Sequence, residues 1–339
     1  MEIRSFSDSI KKAFAATMIA GTVLSFSSCD RIHEDLQPCP QGVRLRFVYD
    51  YNMEFANAFP SQVDCLTVLF YDKDGNYVTT KTNATSDLAD ENWRMTVDLD
   101  PGSYNVIAYG GMECDKSSFS FTSQPSSIRM DQIQVELNRS TLTEPVGTYL
   151  HPLFYGRAEV SVVQSDLEYR DYTVYMMKDT NNLRIMLQQV DGTTIDEADF
   201  DFKIVDDNTL MAWNNDVIPT QSVNYFPWTR GNASPGELPD NAGEATVAWA
   251  EISFPRLVTS NSPRLVITRK ADGYKLIDIP LNNYLLLMKS EVYTDMPSQE
   301  FLDRESRWKM LFFLNGGRWL DTVIEINDWT VRINHTQYE

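Results

Sequence analysis

The chain is poor in the residues that most catalysis needs. Its three histidines, His33, His151 and His335, lie near the N-terminus, in mid-chain and at the extreme C-terminus. The four cysteines, Cys29, Cys39, Cys65 and Cys114, lack paired C-x-x-C spacing, which argues against structural zinc. Metalloprotease, nucleophile-elbow, phosphate-loop and dinucleotide-binding patterns are all missing. An enzyme, a metal centre and a bound cofactor are therefore not expected. Positive charge is scarce too: 29 basic residues face 48 acidic ones, a formal charge of -19. Such a body repels phosphate backbones and anionic lipid surfaces, so nucleic acid is a poor partner. No apolar run reaches the roughly 20 residues that a spanning helix needs.

The N-terminus has the three parts of an export signal. Arg4, Lys11 and Lys12 give a positive start, Ala13 to Phe26 an apolar stretch, and Ser27 and Ser28 small residues just before Cys29. Small residues ahead of a cysteine suit cleavage and lipidation at that cysteine. Phe26 stands where this pattern usually has Leu. Residues 1–28 are thus expected to be removed, leaving Cys29 with a diacylglycerol and an acyl chain. The alternative is an ordinary secretory signal with all four cysteines paired. Each buried CH₂ contributes roughly 0.8 kcal/mol, and more than one chain gives stable anchoring. With Cys29 modified, two of Cys39, Cys65 and Cys114 should oxidise after export. Spacing does not say which two; Cys39 with Cys114 is a first guess.

Residues 29–41 are polar and Pro-bearing, and they read as a tether. From there the apolar period is two. Val43, Leu45, Phe47, Tyr49 and Tyr51 alternate with polar residues, and Val63 to Tyr71 forms a second strand. Lys73-Asp74-Gly75-Asn76 turns it into a third. Trp93 to Leu99 and Tyr104 to Tyr109 flank Asp100-Pro101-Gly102, a pair suited to a type II turn. Ile128 to Leu137 and Leu153 to Val163 complete a first set.

A second set starts near Tyr172. Tyr172 to Met177 and Leu183 to Val190 flank the turn signal Asp179-Thr180-Asn181-Asn182. Phe200 to Val205 and Thr209 to Trp213 flank Asp206-Asp207-Asn208. Ala245 to Phe254 follows the polar loop Gly231 to Gly243. Arg264 to Arg269 pairs with Tyr274 to Ile279 across Ala271-Asp272-Gly273, and Trp308 to Leu314 with Arg318 to Ile326 across Asn315-Gly316-Gly317. Helices are expected only at Asn283 to Met288 and Ser298 to Glu305. This spacing predicts an all-β chain of two β-sandwiches in series, residues 42–164 and 165–339.

Asp72-x-Asp74-Gly75-Asn76 resembles a calcium loop only faintly, because an EF-hand needs glycine at its sixth position and Glu at its twelfth. A hairpin turn explains it better. Asp206-Asp207 has the residue types of a glycosidase pair but reads as a solvated tip. Seven tryptophans suggest sugar stacking, yet most sit in phase with apolar strand neighbours, as core residues do.

Several segments together resemble the anchor subunits of type V fimbriae, the pili built from lipoprotein precursors. They are Ser27-Ser28-Cys29, the run from Cys39 to Asn52, Val63-Asp64-Cys65-Leu66-Thr67, Leu99 to Val106, Ala108-Tyr109-Gly110-Gly111, Phe154-Tyr155-Gly156, and Gln299-Glu300-Phe301-Leu302-Asp303-Arg304-Glu305. The resemblance implies two tandem transthyretin-like Greek-key sandwiches and a subunit that holds a fimbria at the outer membrane, exposed at the surface, and ends its growth. Glu34 and Asp35 would then serve as an export cue. Subunits of such fimbriae join by strand addition, with main-chain hydrogen bonds giving strength and alternate side chains filling pockets. Stalk subunits lose an N-terminal strand after a basic residue. Here only Arg31, Arg44 and Arg46 lie nearby, the last two within the strand itself.

Val43, Leu45, Phe47 and Tyr49 are thus candidates for a retained, groove-filling strand. At the other end, Ile324 and Ile326 are out of phase with Trp329, Val331 and Ile333. A bulge at Asn327-Asp328 in one last strand is one explanation. The other is that Trp329 to Asn334 is a separate strand that pairs with a stalk subunit. Two rival roles remain open: a tip or adhesive subunit of the same fimbriae, and a surface glycan-binding lipoprotein.

Overall fold

Leu66 to Tyr71 is buried at every position, and in this computed structural model of the chain both faces of that strand are covered. The structure describes residues 41–164, 168–233, 246–287, 289, 293–316, 318–326 and 329–334, with backbone pairing alone from 321 onward. The expectations for Phe26, Cys29, His33, Glu34, Asp35, Cys39 and His335 lie outside these residues.

Seven strands form the first sheet: β1 (Gly42–Val48), β2 (Leu66–Asp72), β3 (Tyr77–Asn83), β4 (Met95–Asp98), β5 (Gly102–Gly110), β8 (Phe154–Val162) and β9 (Arg170–Lys178). Their order is β3-β2-β5-β8-β9-β1-β4. Val43, Leu45 and Val174 share one core with Val68, Phe70 and Val106, so this sheet closes over on itself as a sandwich. The odd-phase residues Leu69, Tyr71, Ile107 and Tyr109 face the other way. They pack on a small sheet of β6 (Phe119–Phe121), β7 (Gln134–Leu137), β12 (Leu210–Ala212) and β13 (Val217–Ile218). Burial on both faces explains why β2 and β5 read as unbroken apolar runs.

The second sandwich has a six-stranded sheet, ordered β15-β16-β10-β19-β20-β21. These strands are β10 (Thr180–Gln189), β15 (Thr229–Ala233), β16 (Val247–Pro255), β19 (Arg307–Asn315), β20 (Arg318–Ile326) and β21 (Trp329–Asn334). It packs on β14-β11-β17-β18, made of β11 (Phe200–Asp206), β14 (Val223–Tyr225), β17 (Arg264–Arg269) and β18 (Lys275–Pro280). Leu183, Ile185 and Leu187 meet Phe202, Ile204, Leu265 and Ile267 between them. Among the described residues the α-helices are short: α1 (Phe59–Gln62), α2 (Leu281–Leu287) and α3 (Ser298–Arg304). The fold is all-β, as expected. Among the described residues no helix is long and apolar enough to cross a membrane.

Several local expectations are corrected. Asp179-Thr180-Asn181-Asn182 is not a turn: β9 runs into β10 with only Asp179 between them, and the chain passes from one sheet to the other. Asp179, Thr180 and Asn181 are buried, and Asn181 has partners far away in sequence. Asn181 accepts from Trp308 Nε1 and donates to Pro255 O. Asp206-Asp207-Asn208 is not a solvated tip either, because β11 and β12 belong to different sheets and Asp206 and Asn208 are buried. Burial pushes the Asp206 carboxyl up to about 6. Gly102 does not take a positive φ; it is the first paired residue of β5, opposite Val162, so the turn is not type II.

Ile128 to Leu137 yields a strand only from Gln134, after 3₁₀ turns at Pro125–Ser127 and Met130–Gln132. Tyr172 to Met177, expected to open the second set, sits in the first sheet beside β1. The polar loop after Gly231 begins as β15, and residues 234–245 lie outside the described chain. Finally, the phase change near residue 327 is neither a bulge nor a continuation. β20 and β21 are antiparallel neighbours, with Ile326 opposite Trp329 and Ile324 opposite Val331. Across a two-residue hairpin connection the flanking residues pair and share a face, which produces that slip in phase.

Candidate functional site

Gly42 opens β1 at φ 150°, where a Cβ would lie 2.1 Å from Val97 O. That approach lets β1 lie antiparallel to β4; on its other side it runs parallel to β9, from Val43 opposite Arg170 to Val48 opposite Tyr175. Val43 and Leu45 are fully buried, and Phe47 stacks between Phe59 at 5.6 Å and Trp93 at 6.1 Å. Tyr49, just past the strand, packs edge-on against Phe154 at 5.1 Å, and burial raises its phenol well above the usual range. On the outer face Arg44 makes a bidentate pair with Asp171, both contacts at 2.9 Å. Ahead of the strand, Gln41 O accepts from Leu99 N. The first strand is therefore an inner strand of its own sheet. Its buried apolar side chains, Val43, Leu45, Phe47 and Val48, contribute roughly 1.5–3 kcal/mol each.

After β1 the chain closes a tight loop. Asn52 is buried, donates to Tyr49 O and Ala56 O, and frames Phe55 at φ 51°. Into this loop reaches Arg304 from α3. Its guanidinium lies 4.1 Å from the Tyr51 ring and 4.6 Å from that of Phe55, contacts that attract a cation to the ring face. It also donates to Asp50 O and Asn52 O and pairs with Glu300 at 2.7 Å.

The next residue back, Asp303, holds Arg256 bidentately at 2.8 and 2.9 Å. Arg256 in turn donates to Asn215 O and lies 4.0 Å from Asp179. Asp179 is fully buried and accepts from Asn215 Nδ2; burial pushes its carboxyl up to about 7 despite Arg256 and that bond. The segment after β1 is thereby fastened to the second sandwich. Asp50-Tyr51-Asn52 and Asp303-Arg304 lie within segments that carry the family resemblance, but only their meeting in the fold shows what they do.

The last strand is placed differently. β21, with Trp329, Val331 and Ile333, is at the end of its sheet and, among the described residues, pairs with β20 alone. Elsewhere, the Asp72 carboxylate accepts from Asp74 N, Asn76 N and Asn76 Nδ2, the arrangement of a hairpin turn with Gly75 at φ 80°. Of the tryptophans, Trp308 is buried, and Trp93, Trp213 and Trp319 pack on the cores. The disulfide joins Cys65 to Cys114, Cα atoms 6.4 Å apart, and not Cys39 to Cys114. β2 and the loop after β5 bring these two together, a proximity that spacing does not reveal. Asp64 and His151 lie beside them.

The body is thus all-β, built as two sandwiches, with its first strand paired on both sides within its own sheet. The chain matches the model of the fimbrillin-A associated anchor proteins Mfa1 and Mfa2 over residues 36–335, and it belongs to that family. The family is structural, and membership makes the chain a fimbrial accessory subunit associated with the cell surface. A candidate adhesin from Bacteroides thetaiotaomicron is 50% identical, with TM-score 0.82 over 88% of this chain and 100% of that one. A candidate polysaccharide-binding protein from the same organism is 29% identical, with TM-score 0.73 over 86% and 98%. The fimbrial anchor protein Mfa2 from Porphyromonas gingivalis shares the fold at 15% identity, TM-score 0.64, over 86% and 99%. No curated protein matches.

Proposed function

We propose that this chain is the base subunit that holds a fimbria to the outer membrane and ends its growth. Cys29 carries the lipid, and residues 30–41 lead from it directly into β1. The observation that carries the reading is the seat of β1: it is buried, paired on both sides, and continuous with the tether. A strand kept in place leaves no groove for an incoming one, so strand addition stops at this subunit. The stalk subunit would instead pair at an open edge, and β21 is the candidate, through Trp329, Val331 and Ile333.

Deleting the gene should release fimbriae into the medium, where they can be counted. Unchanged retention refutes the anchor role. Mass spectrometry of the mature N-terminus separates anchor from tip subunit: an acylated Cys29 supports the anchor, and a terminus beyond Val48 supports a tip. Acyl labelling should vanish in Cys29→Ala.

One observation favours a second reading, glycan contact. Tyr149 is half-exposed and meets Trp228 edge-on at 5.1 Å, beside a polar cavity of about 230 Å³ lined by Lys178, Asn182 and Glu251. Polysaccharide pull-down by the purified chain, lost in Tyr149→Ala, with fimbriae unaffected by gene deletion, would favour it.

A further inference from the structure

We propose that Asp64, Cys65, Cys114 and His151 form a redox-gated site that binds one Zn²⁺ when the Cys65–Cys114 disulfide is reduced. One ligand atom from each of the four lies within 4.8 Å of every other. Two thiolates, an imidazole nitrogen and a carboxylate oxygen form a four-ligand set suited to tetrahedral zinc. Bonds of about 2.0–2.3 Å in such a site place neighbouring ligand atoms roughly 3.3–3.8 Å apart, so once the disulfide opens the two sulfurs part from bonding distance while the more distant ligand atoms draw in slightly.

His151 shows the site most directly. Its Nε2 is buried and makes no hydrogen bond, although Asp64 Oδ1 is only 3.0 Å away. Two electron-pair donors thus converge with no bonding proton in line between them. Lys116 holds the other carboxylate oxygen, Oδ2, at 3.3 Å and leaves Oδ1 for a cation.

The backbone builds this cluster from three separate segments. Gly111 takes φ 83°, and a Cβ there would lie 1.9 Å from Pro152 O. Only glycine allows the segment carrying His151 to come so near the end of β5. Gly111 N donates to Cys65 O and His151 N donates to Ser118 Oγ at 2.8 Å, which fixes both arms. The cluster lines an open cavity of about 590 Å³, and Cys114 is partly exposed there.

The chemistry balances with a low-molecular-weight thiol as reductant. Two external thiols are oxidised to their disulfide while the Cys65–Cys114 bond takes up two electrons and two protons and opens to two thiols. Zn²⁺ then displaces the two thiol protons to solvent, forming two Zn–S bonds. Neutral His151 gives a nitrogen lone pair, and ionised Asp64 gives Oδ1. With the disulfide intact the sulfurs are not thiolates and the site is closed to zinc.

The test uses the full chain in detergent, in a Cys39→Ser background that removes a competing thiol. Oxidised and phosphine-reduced samples are loaded with zinc, freed of excess by gel filtration and assayed for metal per chain. The reduced protein should keep about one zinc, and Co²⁺ in its place should show the visible bands of a tetrahedral thiolate site. The oxidised protein should keep essentially none. Because outer-shell changes already cost 10–100-fold in affinity, His151→Ala should weaken zinc binding by more than about 100-fold in the reduced state. Its oxidised form, disulfide intact, reports whether the variant folds. A reduced, folded chain that holds no zinc overturns the proposal. So does zinc binding equal in the oxidised chain, or unchanged by His151→Ala.

Discussion

The first and last strands of this molecule are both short, amphipathic and near a chain end, yet the fold treats them in opposite ways. β1 is an inner strand with partners on both sides and Val43, Leu45 and Phe47 in the core. β21 sits at the edge of its sheet with one partner, β20. An inner strand is part of the sandwich, and its removal exposes core on two neighbours. An edge strand leaves main-chain groups open on one side, which is where another chain can add. The two ends therefore differ in placement: among the described residues one strand is flanked on both sides and the other on one.

The largest effect should come from deleting Gly42–Val48. The chain should fail to fold by circular dichroism, and a synthetic peptide of that sequence, added during refolding, should restore it. Deleting Trp329–Glu339 should leave a folded monomer that no longer retains fimbriae; an unfolded product would show that β21 belongs to the core as β1 does. Next, Phe47→Ala should cost about 3 kcal/mol in urea unfolding, since it removes a ring stacked between Phe59 and Trp93.

Arg304→Ala should cost about 2 kcal/mol and should speed proteolysis of the Asp50–Ala58 loop. Lys at that position should restore little, because a guanidinium stacks on two rings and donates in a plane. Asp179→Asn sharpens the link between the sandwiches. The folded carboxyl titrates near 7 against 3.8 for an ordinary aspartate, so protonation favours the fold. That contribution is intact below about pH 4 and lost as pH rises through about 7. The variant should therefore gain on wild type, by a few kcal/mol at most, when melts at pH 8 are compared with melts at pH 4. The smallest effect belongs to Arg44→Ala, whose exposed pair with Asp171 should contribute no more than about 1 kcal/mol.

Periodicity carried most of the strand content. Val43 to Phe47 and Phe200 to Val205 alternate as half-buried strands must, and Asp272 and Gly273 mark the hairpin between β17 and β18 locally. What did not show was which sheet a strand joins. β9 reads like the strands after it but pairs with β1, more than 100 residues earlier. Polar runs misled for the same reason. Asp179 to Asn182 and Asp206 to Asn208 have turn composition, yet Asp179, Thr180, Asn181, Asp206 and Asn208 are buried, and distant residues bond to three of them: Asn215 to Asp179, Trp308 to Asn181, and Tyr225 and Arg256 to Asn208. Of the candidate site, the first strand was legible because its burial pattern is local. The Arg304 contacts and the Cys65–Cys114 cluster depend on meetings between distant segments, which no local pattern encodes.

The parallel pairing of β1 with β9 has a mechanical consequence. A lipid-held tether would pull on the N-terminal end of β1, while the load from the rest of the protein leaves β9 at its C-terminal end, through Asp179 into β10. In parallel neighbours those two ends lie at opposite extremes of the ladder. Traction is then applied as shear along the strands, and the hydrogen bonds from Val43 to Val48 resist together. An antiparallel arrangement loaded from adjacent ends would peel them apart one by one, like a zip.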